Sequence, residues 1–276
     1  MIELITSDID ETLVDDAKNV PIRNREAIAK AQEMGLIVML ATGRGPYELR
    51  DIPEQAGVIH YDRFIICCNG AIILDAQSRE IVESLPLEYE YAANVFKYAK
   101  ENKLQCFIYT LEKKYAINLD LHEKSSEYTM DTNVEEISAD NLDFLKDKII
   151  LKALFKNPDL DFLHSIEPDV AELCNYNVEI SYSSDLYMEI NAKGVDKGRA
   201  LKKVASHYGI DMAKTLVIGD NYNDIAMLEA AGTSVAVANA HLQVKEVAGH
   251  VTEATNNDGA VAEAIEKFVL NRQKNN

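Results

Sequence analysis

Cations are in short supply in this sequence, where 28 lysines and arginines stand against 46 aspartates and glutamates in 276 residues. The formal charge is −18 and the pI near 4.7. Such a balance repels phosphate backbones and anionic lipid surfaces, so neither nucleic acid nor membrane is an expected partner. An anionic ligand would have to be met locally, by a few lysines, helix ends or a metal. Cysteine is scarce as well: Cys67, Cys68, Cys106 and Cys174 include no Cys-x-x-Cys pair, which argues against a zinc site or a disulfide framework. Buried thiols are expected, with Cys67 and Cys68 on opposite faces of one strand. Apolar runs stay short of the roughly 18 residues a membrane helix needs. Glu3, Asp8 and Asp10 stand where a secretion signal would need an apolar stretch, so a soluble cytoplasmic protein is expected. Repeats and low-complexity tracts are missing, no protein partner is evident, and only Arg272 to Asn276 read as a disordered tail.

Two familiar ligand signatures also fail. A calcium loop counted from Asp8 would need Gly and Glu where Leu13 and Asn19 stand. Gly43-Arg44-Gly45 lacks the third glycine of a dinucleotide loop, having Glu48 there and Pro46 in between.

What the sequence does have is a hydrophobic fraction of 47%, ample for a core in one large or two ordinary domains. The apolar stretch Ile2, Leu4, Ile5 runs into Ser7-Asp8-Ile9-Asp10-Glu11-Thr12, so a short strand ends on two carboxylates. In a parallel α/β sheet ligands bind beyond the carboxyl ends of the strands. There Asp8, ionised, is a nucleophile or metal ligand, while Asp10, if protonated, can serve a leaving group, with the Thr12 hydroxyl orienting either one. An acidic turn after a strand is the plain alternative.

Ala27, Ile28, Ala31 and Met34 share a helical face that Gly35 terminates, and Leu36 to Ala41 is an apolar strand ending at Thr42-Gly43-Arg44. Thr42 offers a hydroxyl and Gly43 an amide that an anion can approach closely. Phe64 to Cys68 predicts a third strand, followed by Asn69-Gly70-Ala71 and a hairpin of Ile72 to Leu74 with Ile81 to Leu85. Between about Pro86 and Asn191 the texture changes to period-two strands, Val178, Ile180, Tyr182 and Leu186, Met188, Ile190, mixed with helices around Ala92 to Ala99 and Leu160 to Leu173. That alternation implies antiparallel sheet with one covered face. Within this stretch no cation cluster or aromatic pair names a substrate.

The first texture returns at Lys193. A helix begins near Gly198, and the strand Thr215 to Ile218 leads into Gly219-Asp220-Asn221-Tyr222-Asn223-Asp224, a loop that could equally be a tight turn with a helix cap. Lys197 precedes a helix, where a cation is disfavoured unless an anion lies close, although a solvated lysine fits too. If the sheet is parallel, Asp8 and Asp220 share one edge and make an all-oxygen site suited to Mg²⁺. Alternating strand and helix on both sides of an insertion gives one α/β core, residues 1–85 and 192–276, and an inserted α+β domain, 86–191.

Taken together, these segments resemble the haloacid dehalogenase-like phosphohydrolases, in particular the Cof-type branch with the larger cap. Asp8-Ile9-Asp10-Glu11-Thr12, Ala41-Thr42-Gly43-Arg44, Lys197-Gly198 and Gly219-Asp220-Asn221-Tyr222-Asn223-Asp224 match its four motifs in order, and Asn69-Gly70-Ala71 and Asn257-Asp258-Gly259 resemble segments of that branch. The departure is Glu11, where most members carry glycine; its charge is expected to slow the reaction or alter substrate choice. The resemblance implies a Rossmann-like parallel sheet with helices on both faces, and a cap closing over the substrate. It implies that Asp8 attacks phosphorus and that Asp10 protonates the departing alcohol and then activates water. Asp8, the Asp10 carbonyl and Asp220 would hold Mg²⁺, Asp224 would orient that site, and Thr42, Gly43, Lys197 and Asn223 would bind the phosphoryl group. Arg44, Asn69 and Glu189 are candidates for the part of the substrate beyond it. The expected activity is hydrolysis of a small phosphorylated metabolite, a sugar phosphate above all. A sugar phosphomutase, or a regulatory protein that binds a phosphorylated ligand without turnover, are the alternatives.

Overall fold

The computed structural model describes residues 1–59, 63–119, 134–183 and 185–271; the expected tail, Arg272 to Asn276, lies outside them. The chain divides into two compact units. One comprises Met1–Arg44, Leu49–Ser84 and the chain from Asp196 onward, and the other Gly45–Glu48 and Leu85–Val195. Among the described residues no helix is long and apolar enough to cross a membrane.

The first unit opens with β1 (Leu4–Ser7), β2 (Ile37–Ala41), β3 (Phe64–Cys67), β4 (Ile72–Asp75) and β5 (Ile81–Ser84). The second supplies β6 (Gln105–Thr110), β7 (Lys114–Ile117), β8 (Val134–Glu136), β9 (Ile150–Lys156), β10 (Val178–Ser183) and β11 (Tyr187–Ala192). The chain then returns to the first unit with β12 (Thr215–Gly219), β13 (Thr233–Ala236) and β14 (His250–Val251).

The sheet of the first unit has the order β14-β13-β12-β1-β2-β3-β4-β5, parallel as far as β3 and antiparallel beyond it. β1 and β12 are buried along their whole length, as apolar strands covered on both faces must be. This is the expected Rossmann-like α/β core. The order reverses at β1: successive strands step one way to β2 and β3, and the other way from β12 to β14. Such a reversal opens a crevice at the strand ends, and Asp8 and Asp220 each follow directly on the strands that flank it.

Helix Ile22–Glu33 buries Asn24, Ala27, Ile28 and Ala31, a spacing of three and four that makes one stripe. Its Asn24 Nδ2 donates to the Leu13 carbonyl at 2.9 Å, and its Oδ1 accepts from the Ala262 amide at 2.9 Å, tying the first acidic loop to helix Ala260–Ile265. Helix Lys197–His207 packs in turn on helix Ile225–Ala230. All four cysteines are buried free thiols. The adjacent pair does not share a strand, however, because Cys67 ends β3 and Cys68 takes a left-handed φ of 48° in the following turn.

The second unit is built on a sheet of order β10-β11-β9-β6-β7-β8, antiparallel except where β7 and β8 run parallel. Helices Tyr89–Glu101 and Leu160–Leu173 join Cys106, Ile108, Phe155, Met188 and Ile190 in its apolar core. The expected one-sided alternation fails in the middle of this sheet. Every residue of β6 and β7 is buried, and the second face carries Gln105, Tyr109, Lys114, Lys152, Glu189 and Asn191, all of them buried too. Hydropathy alternates along these strands while exposure does not.

Candidate active site

Pairing of β1 with β12 sets Ser7 opposite Ile218, and the Asp8 amide continues the ladder with a 2.9 Å bond to the Ile218 carbonyl. Asp8 and Asp220 therefore leave neighbouring strands side by side. Carboxylate oxygens of Asp8, Asp220 and Asp224 lie within 4.8 Å of one another, all three residues buried. Thr12, expected to orient Asp8 or Asp10, instead donates its hydroxyl to Asp220 Oδ1 at 2.5 Å. Asp224 holds the loop shut: its Oδ2 accepts from the amides of Asp220 at 2.9 Å and Asn221 at 3.1 Å. A Cβ on Gly219 would come within 2.6 Å of that oxygen, so only glycine admits the arrangement.

Lys197 is the first residue of its helix, with Asp196 as N-cap, and is fully buried. Its Nζ donates to Asp8 Oδ1 and to Asp224 Oδ1, each at 2.6 Å. Burial alone would lower the ammonium pKa, yet Asp224 and Asp8 hold it above the ordinary lysine value. Burial pushes the Asp8 carboxyl up to about 7, against the pull of Lys197 and with Asp224 adding to the rise. Burial, with Asp8 and Asp224 close by, also raises Asp220 well above its usual value. Three buried carboxylates thus cluster beside one ammonium, which pairs with Asp8 and Asp224, an imbalance that a hard divalent cation fits through its preference for oxygen ligands.

Asp10 takes no part in that cluster. Its carboxylate accepts from Arg44 Nε at 2.8 Å and Nη2 at 2.7 Å, and from Lys18 Nζ at 3.0 Å. Burial would raise this carboxyl, but the hydrogen bonds and charge of Arg44, with Lys18 behind, keep it well below the usual carboxylate range. Held low in this way, the Asp10 carboxyl favours its ionised form, the one that accepts a proton, whereas the acid role was expected on condition that it is protonated. Arg44, a candidate for the distal part of the substrate, closes on Asp10. Lys18 was missed, and its only signal was a lysine soon after the acidic loop.

Glu11 adopts a φ of 56°, and its carbonyl accepts from Asn239 Nδ2 at 2.7 Å. A left-handed backbone is where glycine costs least, so a glycine at position 11 would adopt this turn with less strain than Glu11 does.

The turn after β2 meets the turn after β3. The Thr42 amide donates to the Ile66 carbonyl at 2.8 Å, its carbonyl accepts from the Asn69 amide at 3.0 Å, and its hydroxyl accepts from the Arg44 amide at 3.1 Å. Gly43 forms the bend between them. Asn69, at φ 56°, accepts through Oδ1 from Asn223 Nδ2 at 3.1 Å, so two predicted residues far apart in sequence touch. Glu189 lies in the second unit, where Lys152 Nζ donates to it in a short hydrogen bond and Ser183 donates at 2.6 Å. The sequence reading passed over Lys114 and Lys152; Lys152 stands inside the apolar run of β9, where hydropathy does not tell a buried lysine from an exposed one.

A sequence profile described as haloacid dehalogenase-like hydrolase matches residues 5–265. The chain is similar to YxeH of Bacillus subtilis, provisionally named a phosphatase, with 31% identity over 98% of this chain and 99% of that one. It is 30% identical to YcsE of the same organism, a 5-amino-6-(5-phospho-D-ribitylamino)uracil phosphatase, over 98% and 96% of the two chains. Among solved structures it is similar to a haloacid dehalogenase-like hydrolase from Bacteroides thetaiotaomicron, with a TM-score of 0.82 at 28% identity, covering 97% of this chain and 100% of that one.

Proposed function

This chain belongs to the haloacid dehalogenase-like hydrolases, and from that premise we propose that it is a Mg²⁺-dependent phosphomonoesterase working through an aspartyl phosphate. The observation that carries this reading is Lys197, buried at a helix start and held between Asp8 and Asp224. A lysine so placed fixes the nucleophile and presents positive charge where phosphoryl oxygens would lie. The substrate class we infer is a small phosphorylated metabolite with a sugar or polyol portion, in keeping with the ribityl compound for which YcsE is named.

Asp8, with Oδ1 tied to Lys197, would attack phosphorus through its other carboxylate oxygen as the bond to the departing alcohol breaks. Thr42 and the Gly43 amide, at the end of β2, and Asn223, anchored by Asn69, would position the phosphoryl group. Asp10 would protonate the leaving oxygen and then take a proton from the water that cleaves the intermediate. Its resting grip by Arg44 and Lys18 suits the second task, while the first requires a proton gained before the ester bond breaks. Asp8, Asp220 and the Asp10 carbonyl would hold Mg²⁺, which supplies charge neutralisation at the phosphoryl oxygens, and Asp224 would orient that site through the loop it closes.

The test is hydrolysis of para-nitrophenyl phosphate with Mg²⁺, with EDTA, and by Asp8→Asn. Phosphate release that needs the metal and disappears in Asp8→Asn is the expected result. Undiminished turnover by Asp8→Asn would refute the mechanism, and a product isomerised instead of hydrolysed would favour a mutase.

A further inference from the structure

Asp10 is held by donors from two sides. Arg44 lays its planar fork along the carboxylate, with Nε 2.8 Å from Oδ2 and Nη2 2.7 Å from Oδ1, and Lys18 Nζ adds a second donor to Oδ1 at 3.0 Å. Each carboxylate oxygen offers two lone pairs. Those of Oδ1 are both taken, whereas Oδ2 meets one donor among the described residues and keeps a lone pair for the reaction.

The ion pair alone would not hold Lys18 in place. The side chains are 47% and 34% exposed, and a pair so exposed gains less than the rotamer freedom that a lysine gives up. The backbone does the holding. Lys18 takes a left-handed φ of 62° and its amide donates to the Asp15 carbonyl at 2.9 Å, while the Asp15 amide donates to the Asn19 carbonyl at 2.9 Å and the Asn19 amide to Asp15 Oδ1 at 2.8 Å. This turn is clipped to a segment 240 residues further along the chain. The Asp16 amide donates to Asn257 Oδ1 at 3.0 Å, and the Asp16 carboxylate accepts from Asn256 Nδ2 at 3.2 Å and from Asn257 Nδ2 at 3.1 Å. Asn256, which is buried, also reaches the Val14 carbonyl at 3.1 Å. All of these residues belong to the first unit.

We propose that Lys18 is a positioning residue for Asp10, aimed by the clip of Asp16 with Asn256 and Asn257, and that by filling Oδ1 it makes Oδ2 the oxygen that serves the leaving group. As Asp8 bonds to phosphorus, the electron pair of the breaking ester bond stays on the departing oxygen, which takes the proton from Asp10 Oδ2. Without Lys18 the carboxyl keeps the Arg44 fork but loses the contact that tells its two oxygens apart. The proposal rests on the phosphomonoesterase reading given above.

The test measures kcat/KM, which covers the steps through leaving-group departure, for phenyl phosphate and para-nitrophenyl phosphate. These esters are nearly alike in shape, but phenolate needs a proton more than para-nitrophenolate does. The wild type, Lys18→Met, Lys18→Arg and Asn257→Ala are compared, with thermal melting of each. In Lys18→Met the ratio of phenyl to para-nitrophenyl phosphate is expected to fall about tenfold. Lys18→Arg, which keeps a cationic donor, should restore most of it, and Asn257→Ala should lower it in the same direction by a smaller factor. A ratio unchanged in Lys18→Met, or equal losses on both esters, would overturn the proposal while leaving the phosphomonoesterase reading intact. A wild type inactive toward both esters would overturn that reading and the proposal with it.

Discussion

A helix start opposes a cation, and a fully buried lysine pays heavily for desolvation, so Lys197 is held in place by its two carboxylates. Replacing it by methionine leaves Asp8 and Asp224 facing each other without compensation. Lys197→Met is expected to lose about 3–5 kcal/mol of stability in EDTA and to regain part of it with Mg²⁺; denaturant unfolding with and without the metal checks this. For Asp10 the expectation depends on the leaving group. Asp10→Asn should slow alkyl phosphates far more than para-nitrophenyl phosphate, whose leaving group departs without a proton, and Mg²⁺ binding should persist because the carbonyl remains. Equal slowing of both ester types would contradict the acid role. Asp8, Asp220 and Lys197 were legible because each stands at the end of a strand or the start of a helix. The grip of Arg44 and Lys18 on Asp10 was not, since it depends on how long side chains fold back, which spacing does not encode.

Among the elements, helix Lys197–His207 is held to a close approach at Gly198. A Cβ at Gly198 would stand 2.3 Å from the Ala226 carbonyl oxygen, so the two helices could not keep their approach. Gly198→Ala is expected to lower turnover more than tenfold and to destabilise by about 1–3 kcal/mol through overpacking, both by displacing the element that carries Lys197. A melting temperature and activity equal to those of the parent would show that the contact is dispensable. The elements of the first unit could be read because their strands are solid apolar runs and their helices keep a clear stripe. The middle of the second sheet could not: Gln105, Lys114 and Lys152 are buried polar residues in strands, and burial of such groups through partners has no signature in hydropathy.

For the molecule as a whole, the acidic cluster makes stability depend on pH and on metal. Burial holds the Asp8 and Asp220 carboxyls above the ordinary aspartate range in the folded protein, so in metal-free protein their contribution is fully present below about pH 4 and is lost as pH rises, in the case of Asp8 toward about 7. Asp10, held low by Arg44, acts in the opposite sense, losing its contribution only as the medium becomes more acid than about pH 4. The rise in melting temperature on adding Mg²⁺ should therefore grow from pH 5 to pH 8. A gain that is flat, or greatest at pH 5, would show that the cluster does not bind the ion. The family and the α/β architecture were legible from four separated motifs; the buried polar face of the second sheet was legible only once strand register was known.

The central place of β1 has a consequence for the newborn chain. Its two neighbours are encoded at opposite ends of the message, and β12 leaves the ribosome only after the six described strands of the second unit have been made. The later-named unit can thus mature first, its hydrogen bonds guarded from exchange while β1 still waits for half of its ladder. Pulse labelling of amides on stalled nascent chains should find Phe107 and Ala153 protected before Ile5 and Thr6.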